Sequence, residues 1–166
     1  EFMVYEGERW TYGQFFAAAD ALAGRMQADY GIQAGDRIAI AMRNRPEWAV
    51  AFAAAALIGA VPAPLNSFGL REELLSGLRD VDARVLICDA DRFTHVHNDL
   101  AAALNCRAIV VDGEANQGDA PWAALIAAGG PAPQAPTLSP EDPALILFTS
   151  GASSQAKGVM SNQRAV

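Results

Sequence analysis

Apolar residues recur at helical spacing early in the chain: Tyr12, Phe15, Phe16, Ala19, Leu22, Ala23 and Met26. Thr11, with Gln14 three residues later, has the form of a capping box, and Gly31 supplies a stop. The spacing predicts a helix from about Thr11 to Tyr30. Upstream, Val4-Tyr5 and Arg9-Trp10 flank Glu6-Gly7-Glu8 and predict a small hairpin. Arg37 to Met42 predicts a strand. Pro46 suits a first helical turn and Glu47 its positive end. From Trp48 to Ile58 the pattern is apolar nearly all round, so this helix is expected to be buried on most sides.

The alternation continues. Val61 to Leu65 predicts a strand, which Pro62 and Pro64 assign to a sheet edge or a strand end. Arg71 to Asp80 predicts a helix, Arg84 to Cys88 a strand, Asp91 to Leu104 a helix and Arg107 to Val111 a strand. Trp122 to Ala128 predicts a short helix. Val85-Leu86-Ile87 and Ala108-Ile109-Val110-Val111 are continuous apolar runs, as in parallel strands buried on both faces. The predicted fold class is α/β, a mainly parallel sheet flanked by helices. Gly129 to Pro143 breaks the pattern with Gly-Gly and five prolines. It reads as a long surface connection. A strand from Ala144 to Phe148 follows it.

Composition narrows the classes. The 166 residues suffice for one domain with a core, and 52% hydrophobic with 19% charged residues is globular. The net charge of −7 disfavours a nucleic-acid partner. Cys88 and Cys106 form no C-x-x-C pair, which leaves a zinc site without support, and they read as buried free thiols in a reducing compartment. The longest apolar stretch, Trp48 to Pro64, contains Gly59 and two prolines and is short for a membrane span. A cytoplasmic protein is the expectation.

The chemistry concentrates in Thr149-Ser150-Gly151-Ala152-Ser153-Ser154-Gln155-Ala156-Lys157-Gly158. Small residues let backbone N–H groups approach an anion, hydroxyls add donors and the lysine adds a point charge. The stretch is neither a Walker A motif nor G-x-G-x-x-G. From composition alone, a Ser/Gly turn between a strand and a helix with a solvated lysine stands beside phosphate binding. The chain closes at Val166, soon after this stretch, so it is expected to hold part of a larger machine.

Thr149-Ser150-Gly151 with Lys157-Gly158-Val159-Met160 resembles the phosphate-loop signature T-S-G-[ST]-[ST]-G-x-P-K-G of the acyl-adenylate-forming enzymes. These include acyl-CoA synthetases, peptide-synthetase adenylation domains and luciferases. The hairpin and first helix, Tyr5 to Phe15, are similar to the family's entry segment. So are Gly35 to Ile40 with Asn44 to Trp48, Leu57 to Asn66, and Glu72-Glu73-Leu74 through Ala83 to Ile87. These pieces stand in family order over almost the whole chain. Ala152 replaces a family hydroxyl, Ser154 a glycine and Ala156 a proline.

The resemblance implies a function. A carboxylic acid, of the fatty class by flavour, would be activated with ATP and Mg²⁺ as acyl-AMP and passed to coenzyme A. Thr149, Ser150, Gly151, Ser153, Ser154, Lys157 and Gly158 would bind the ATP phosphates. Residues 1–166 would be the N-terminal subdomain of the adenylating domain. The magnesium ligands, the adenine and ribose motifs, the hinge and the C-terminal lysine would belong to the remainder of the same polypeptide. The chain alone would be inactive. A non-catalytic nucleotide- or partner-binding domain of the same fold is the alternative, suggested by the three departures. A different α/β enzyme whose loop binds another anion is a third reading.

Other candidates carry less. His95 and His97, at i and i+2, do not share a helix face, and Asp89, Asp91 and Asp99 near them read as helix capping. Trp10, Trp48 and Trp122 read as core. There is no G-x-S-x-G elbow, and Ser150 has no nearby histidine, so a serine nucleophile has no support.

Overall fold

In the computed structural model, residues 1–115, 119–149 and 156–166 are described. Strands β1 (Met3–Tyr5) and β2 (Glu8–Trp10) form an antiparallel hairpin. Its turn residues Glu6 and Gly7 both have positive φ, 48° and 90°, the form that matches strand twist in a tight hairpin. Helix α1 (Tyr12–Tyr30) opens on the capping box: Gln14 N–H donates to Thr11 Oγ1 at 3.2 Å, and Thr11 N–H donates to Gln14 Oε1 at 2.8 Å.

The body is a five-stranded parallel sheet. Its strands are β3 (Arg37–Ala41), β4 (Val61–Pro64), β5 (Val85–Asp89), β6 (Arg107–Val111) and β7 (Ala120–Pro121), in spatial order β4-β3-β5-β6-β7. All four pairings are parallel. β4 lies at the sheet edge, where the prolines' missing N–H groups cost no ladder bond. Helices α2 (Pro46–Leu57), α3 (Arg71–Val81), α4 (Ala90–Val96), α5 (Leu100–Leu104) and α6 (Trp122–Ala128) connect the strands or follow them.

Alternate strand residues feed two cores. Ile38, Ile40, Val85, Ile87, Ile109 and Val111 pack under α1, α2 and α6. Ala39, Ala41, Leu86, Cys88, Ala108 and Val110 pack under α3, α4 and α5. Among the described residues no helix is long and apolar enough to cross a membrane.

Three expectations need correction. The helix foreseen from Asp91 to Leu104 is two helices, parted by a turn at 97–99. Asn98 and Asp99 are poor helix formers, because their side chains compete for backbone groups. The second helix is only partly enclosed. Val50, Ala51, Ala54 and Ala55 are buried, whereas Trp48, Phe52 and Leu57 are half-buried and Ala56 is exposed. This helix packs against α1 and against β3 and β4, and the half-buried Trp48 and Phe52 stack on each other. Of the three tryptophans only Trp122 is buried; Trp10 and Trp48 are half-buried against the same core.

The Pro/Gly-rich segment 129–142 is a strap laid across α1 and the end of α2. Arg25 Nε donates to the Gly129 carbonyl at 2.6 Å, and Gln27 pairs with the backbone of Gln134. The close approach needs glycine. A Cβ on Gly24 would overlap the carbonyl of Pro131, and one on Gly59 would meet Pro136 Cγ at 2.6 Å.

We predict that Gly24→Ala lowers unfolding free energy by about 1–3 kcal/mol. The overlap with a backbone carbonyl outweighs the gain of about 1 kcal/mol in helix propensity. Urea denaturation measures it. A more stable variant would mean that the strap does not rest on α1.

Candidate functional site

The strap leads into β8 (Pro143–Thr149), which pairs antiparallel with β9 (Lys157–Asn162). The alternation of β8 is set by its core. Ile146 is buried and Phe148 half-buried in the α3–α5 core, while Leu147 and Thr149 are exposed. Register places Thr149 opposite Lys157, Phe148 opposite Gly158 and Leu147 opposite Val159. Directly opposed residues share a face, so Thr149 and Lys157 leave the hairpin on its solvent side.

Of the residues foreseen as phosphate ligands, the structure brings together Thr149, Lys157 and Gly158. Ser150, Gly151, Ser153 and Ser154 lie outside the described residues. Lys157 is exposed, is the chain's only lysine, and makes no ion pair among the described residues. An ammonium without an internal partner beside a threonine hydroxyl suits an anion of several oxygens. Gly158 has a packing reason as well. A Cβ there would stand 3.2 Å from Ile146 Cγ2 and 3.6 Å from the Phe148 ring. The element after the loop is a strand, where the reading of a Ser/Gly turn had a helix. Its apolar signal is Val159-Met160 alone, too short to show a period.

Two cavities flank the loop end of the hairpin. One, of about 380 Å³, is lined by Pro64, Leu65, Asn66, Glu73, Phe148 and Thr149, among others. The second, of about 330 Å³, includes Glu73, Ser76, Asp80, Phe148 and Ala156. Thr149 therefore ends beside the C-terminal end of β4, the edge where open α/β sheets bind ligands. Asn66 stiffens that edge: its Nδ2 donates to Glu73 Oε1 at 2.8 Å, and its Oδ1 accepts from Phe68 N–H at 3.0 Å. Asn66 and Glu73 stood in segments with a family resemblance, but no pattern in the sequence gave them a place beside the loop.

The family model for AMP-binding enzymes matches residues 1–166. The chain belongs to the AMP-binding enzyme family. It is 29% identical over 157 residues to a 2-succinylbenzoate–CoA ligase of Bacillus velezensis, covering 95% of this chain and 29% of that protein. It is 32% identical over 157 residues to an L-proline–[L-prolyl-carrier protein] ligase of Streptomyces coelicolor, covering 90% of this chain and 29% of that one. The chain thus spans about three tenths of the length of these relatives. An anthranilate–CoA ligase, solved in complex with anthranoyl-AMP, shares the fold. Its TM-score is 0.86 at 19% identity, over 96% of this chain and 31% of that chain.

The remaining candidates of this AMP-binding family chain have structural roles. Asp89 caps α4 by accepting from Arg92 N–H at 3.0 Å, holds Arg92 Nη1 at 3.0 Å, and accepts from Arg43 N–H at 3.2 Å. It so joins the ends of β3 and β5 in a buried clasp. His97 rests on the Phe93 ring, with Nδ1 3.2 Å from the Thr94 carbonyl oxygen. Among the described residues no three His, Cys, Asp or Glu side chains converge as a metal site. Cys88 and Cys106 are free and buried. Burial pushes the Cys88 thiol well above its ordinary value and the Cys106 thiol up to about 12, with the Asp119 carboxylate adding to both.

Both thiols are therefore expected to resist iodoacetamide in the native state at pH 8 and to react fully in denaturant. The contribution of Cys106 to stability is whole below the ordinary thiol value of 9.0 and is lost as pH rises toward 12, because the unfolded chain ionises first; that of Cys88 is lost in the same direction. Mass spectrometry reads the alkylation. Rapid native labelling of either cysteine contradicts the burial argument.

Proposed function

We propose that the chain is the N-terminal part of the adenylating domain of an ATP-dependent acid–thiol ligase. A carboxylate oxygen attacks the α-phosphorus of ATP, pyrophosphate leaves, and the acyl group of the acyl-AMP then passes to the thiol of coenzyme A. The observation that carries the reading is the register of β8 and β9. It sets Lys157, which makes no ion pair among the described residues, opposite Thr149, in a chain that matches the AMP-binding family along its whole length.

In this reading Lys157 neutralises charge on the leaving pyrophosphate, and the Thr149 hydroxyl donates to a phosphate oxygen. Ser150, Gly151, Ser153, Ser154 and Gly158 complete the cradle. Magnesium, when bound, would supply further charge neutralisation. A fatty acid is the proposed substrate and the cytoplasm the proposed location. The two relatives above are named for an aryl-type acid and an amino acid, so the test panel includes those classes beside fatty acids.

Lys157→Ala in the full-length protein is expected to slow single-turnover acyl-AMP formation roughly ten- to a thousand-fold. Equal rates would refute the phosphate role of Lys157. Residues 1–166 alone are expected to give no acid-dependent ATP–pyrophosphate exchange, because a transition state must be held from both sides. A full-length protein that binds ATP tightly without exchange would favour the non-catalytic domain suggested by Ala152, Ser154 and Ala156.

A further inference from the structure

The hairpin that carries Thr149 and Lys157 is not part of the parallel sheet. Among the described residues, β8 and β9 make ladder bonds only with each other. β8 lies alongside the edge strand β4, and Ile146 and Phe148 pack in the α3–α5 core. The strap adds a further attachment, and its contacts are specific. Gln27 Nε2 donates to the Gln134 carbonyl at 2.9 Å, and Gln27 Oε1 accepts from Gln134 N–H at 2.9 Å. This is the pair of bonds a neighbouring strand would make, supplied here by one helix side chain. Pro136 and Leu138 then lie over Gly59.

The strap ends in a knot at the open end of the hairpin. Ser139 N–H donates to Asp142 Oδ2 at 2.7 Å. Gln163 N–H donates to the Asp142 carbonyl and Arg164 N–H to the Pro140 carbonyl, both at 2.9 Å. Glu141 accepts from Arg164 Nε at 3.0 Å and from Asn162 Nδ2 at 3.1 Å. Both strands are thus clasped at one end, and Thr149 and Lys157 stand at the other. β8 is a lever of roughly 20 Å, so a tilt of about 3° at its base moves the tip by about 1 Å. A misplacement of about that size can cost on the order of a hundredfold in rate.

We propose that the strap is a strut that fixes the stance of the phosphate-binding hairpin, with Gln27 as a positioning residue acting through Gln134. The inference rests on the reading of Thr149 and Lys157 as phosphate ligands. Gln27 is half-buried on α1 and alanine is a good helix former, so Gln27→Ala removes the two bonds without breaking the helix.

The test compares Gln27→Ala with wild type in the full-length protein, with Asp20→Ala on the exposed side of α1 as control. Hydrogen exchange is read at the amides of β8 and β9 against those of β3 and β5, and the half-saturating ATP concentration is measured alongside. Gln27→Ala is expected to speed exchange in the hairpin about five- to tenfold and leave β3 and β5 unchanged. It should raise half-saturating ATP several-fold without moving that of the acid. Asp20→Ala should change none of these. Unchanged hairpin exchange overturns the proposal. So does uniform acceleration through the sheet, or faster hairpin exchange with unaltered ATP dependence. The exchange readout needs no nucleotide. A protein indifferent to ATP would therefore refute the proposed function separately, whatever the exchange pattern.

Discussion

Strands β3, β5 and β6 carry apolar side chains on both faces, and neither face can be left to water. That requirement organises the chain. It calls for helices above and below, which the crossovers supply in sequence order: α2 on one side, then α3, α4 and α5 on the other, then α6 back on the first. The parallel pairings put every strand's C-terminal end on one edge. Arg43, Asn66, Asp89 and Asp112 all lie just at or past those ends. The polar groups excluded from the layers gather there, and so do the loops that can meet a ligand.

The hairpin solves a different problem. A two-stranded ribbon is marginal by itself, so β8 and β9 borrow stability from the body. Ile146 is buried and Phe148 half-buried to do this, and the same alternation turns Thr149 and Lys157 outward. The exposure of the candidate ligands is therefore a consequence of packing. Gly158 belongs to the same arrangement, since a side chain there would press on Ile146. In an AMP-binding family chain, one residue can thus answer both to the core beneath and to the anion above.

Asp89 shows how little charge the interior admits. Its carboxylate is buried with Arg92 and takes bonds from Arg92 N–H, Arg92 Nη1 and Arg43 N–H. A buried ion pair gains little over an apolar pair, but losing one partner is costly, so the clasp is best understood as fixing geometry between β3 and β5. Lys157 is the opposite case. It is exposed and without an internal counter-ion among the described residues, which is the state a ligand-binding cation requires.

Sequence by itself determined the alternation of elements, the parallel class of the sheet, the capping box at Thr11, the edge placement demanded by Pro62 and Pro64, and the family. These are local or periodic signals, written within a few residues of where they act. Only the tertiary structure decided the rest. The turn at 97–99 depends on how α4 and α5 meet the sheet. The strap's seat on α1 depends on Gly24, Gln27 and Gly59, which lie far from it in sequence. Asn66 and Glu73 become neighbours of Thr149 only because the end of β8 comes to rest beside the end of β4. β9 became a strand because β8 offered it a partner; six residues of weak pattern could not announce it. Periodicity encodes which face a residue shows, but not which distant segment will cover that face, because that choice is made by packing between elements far apart in the chain.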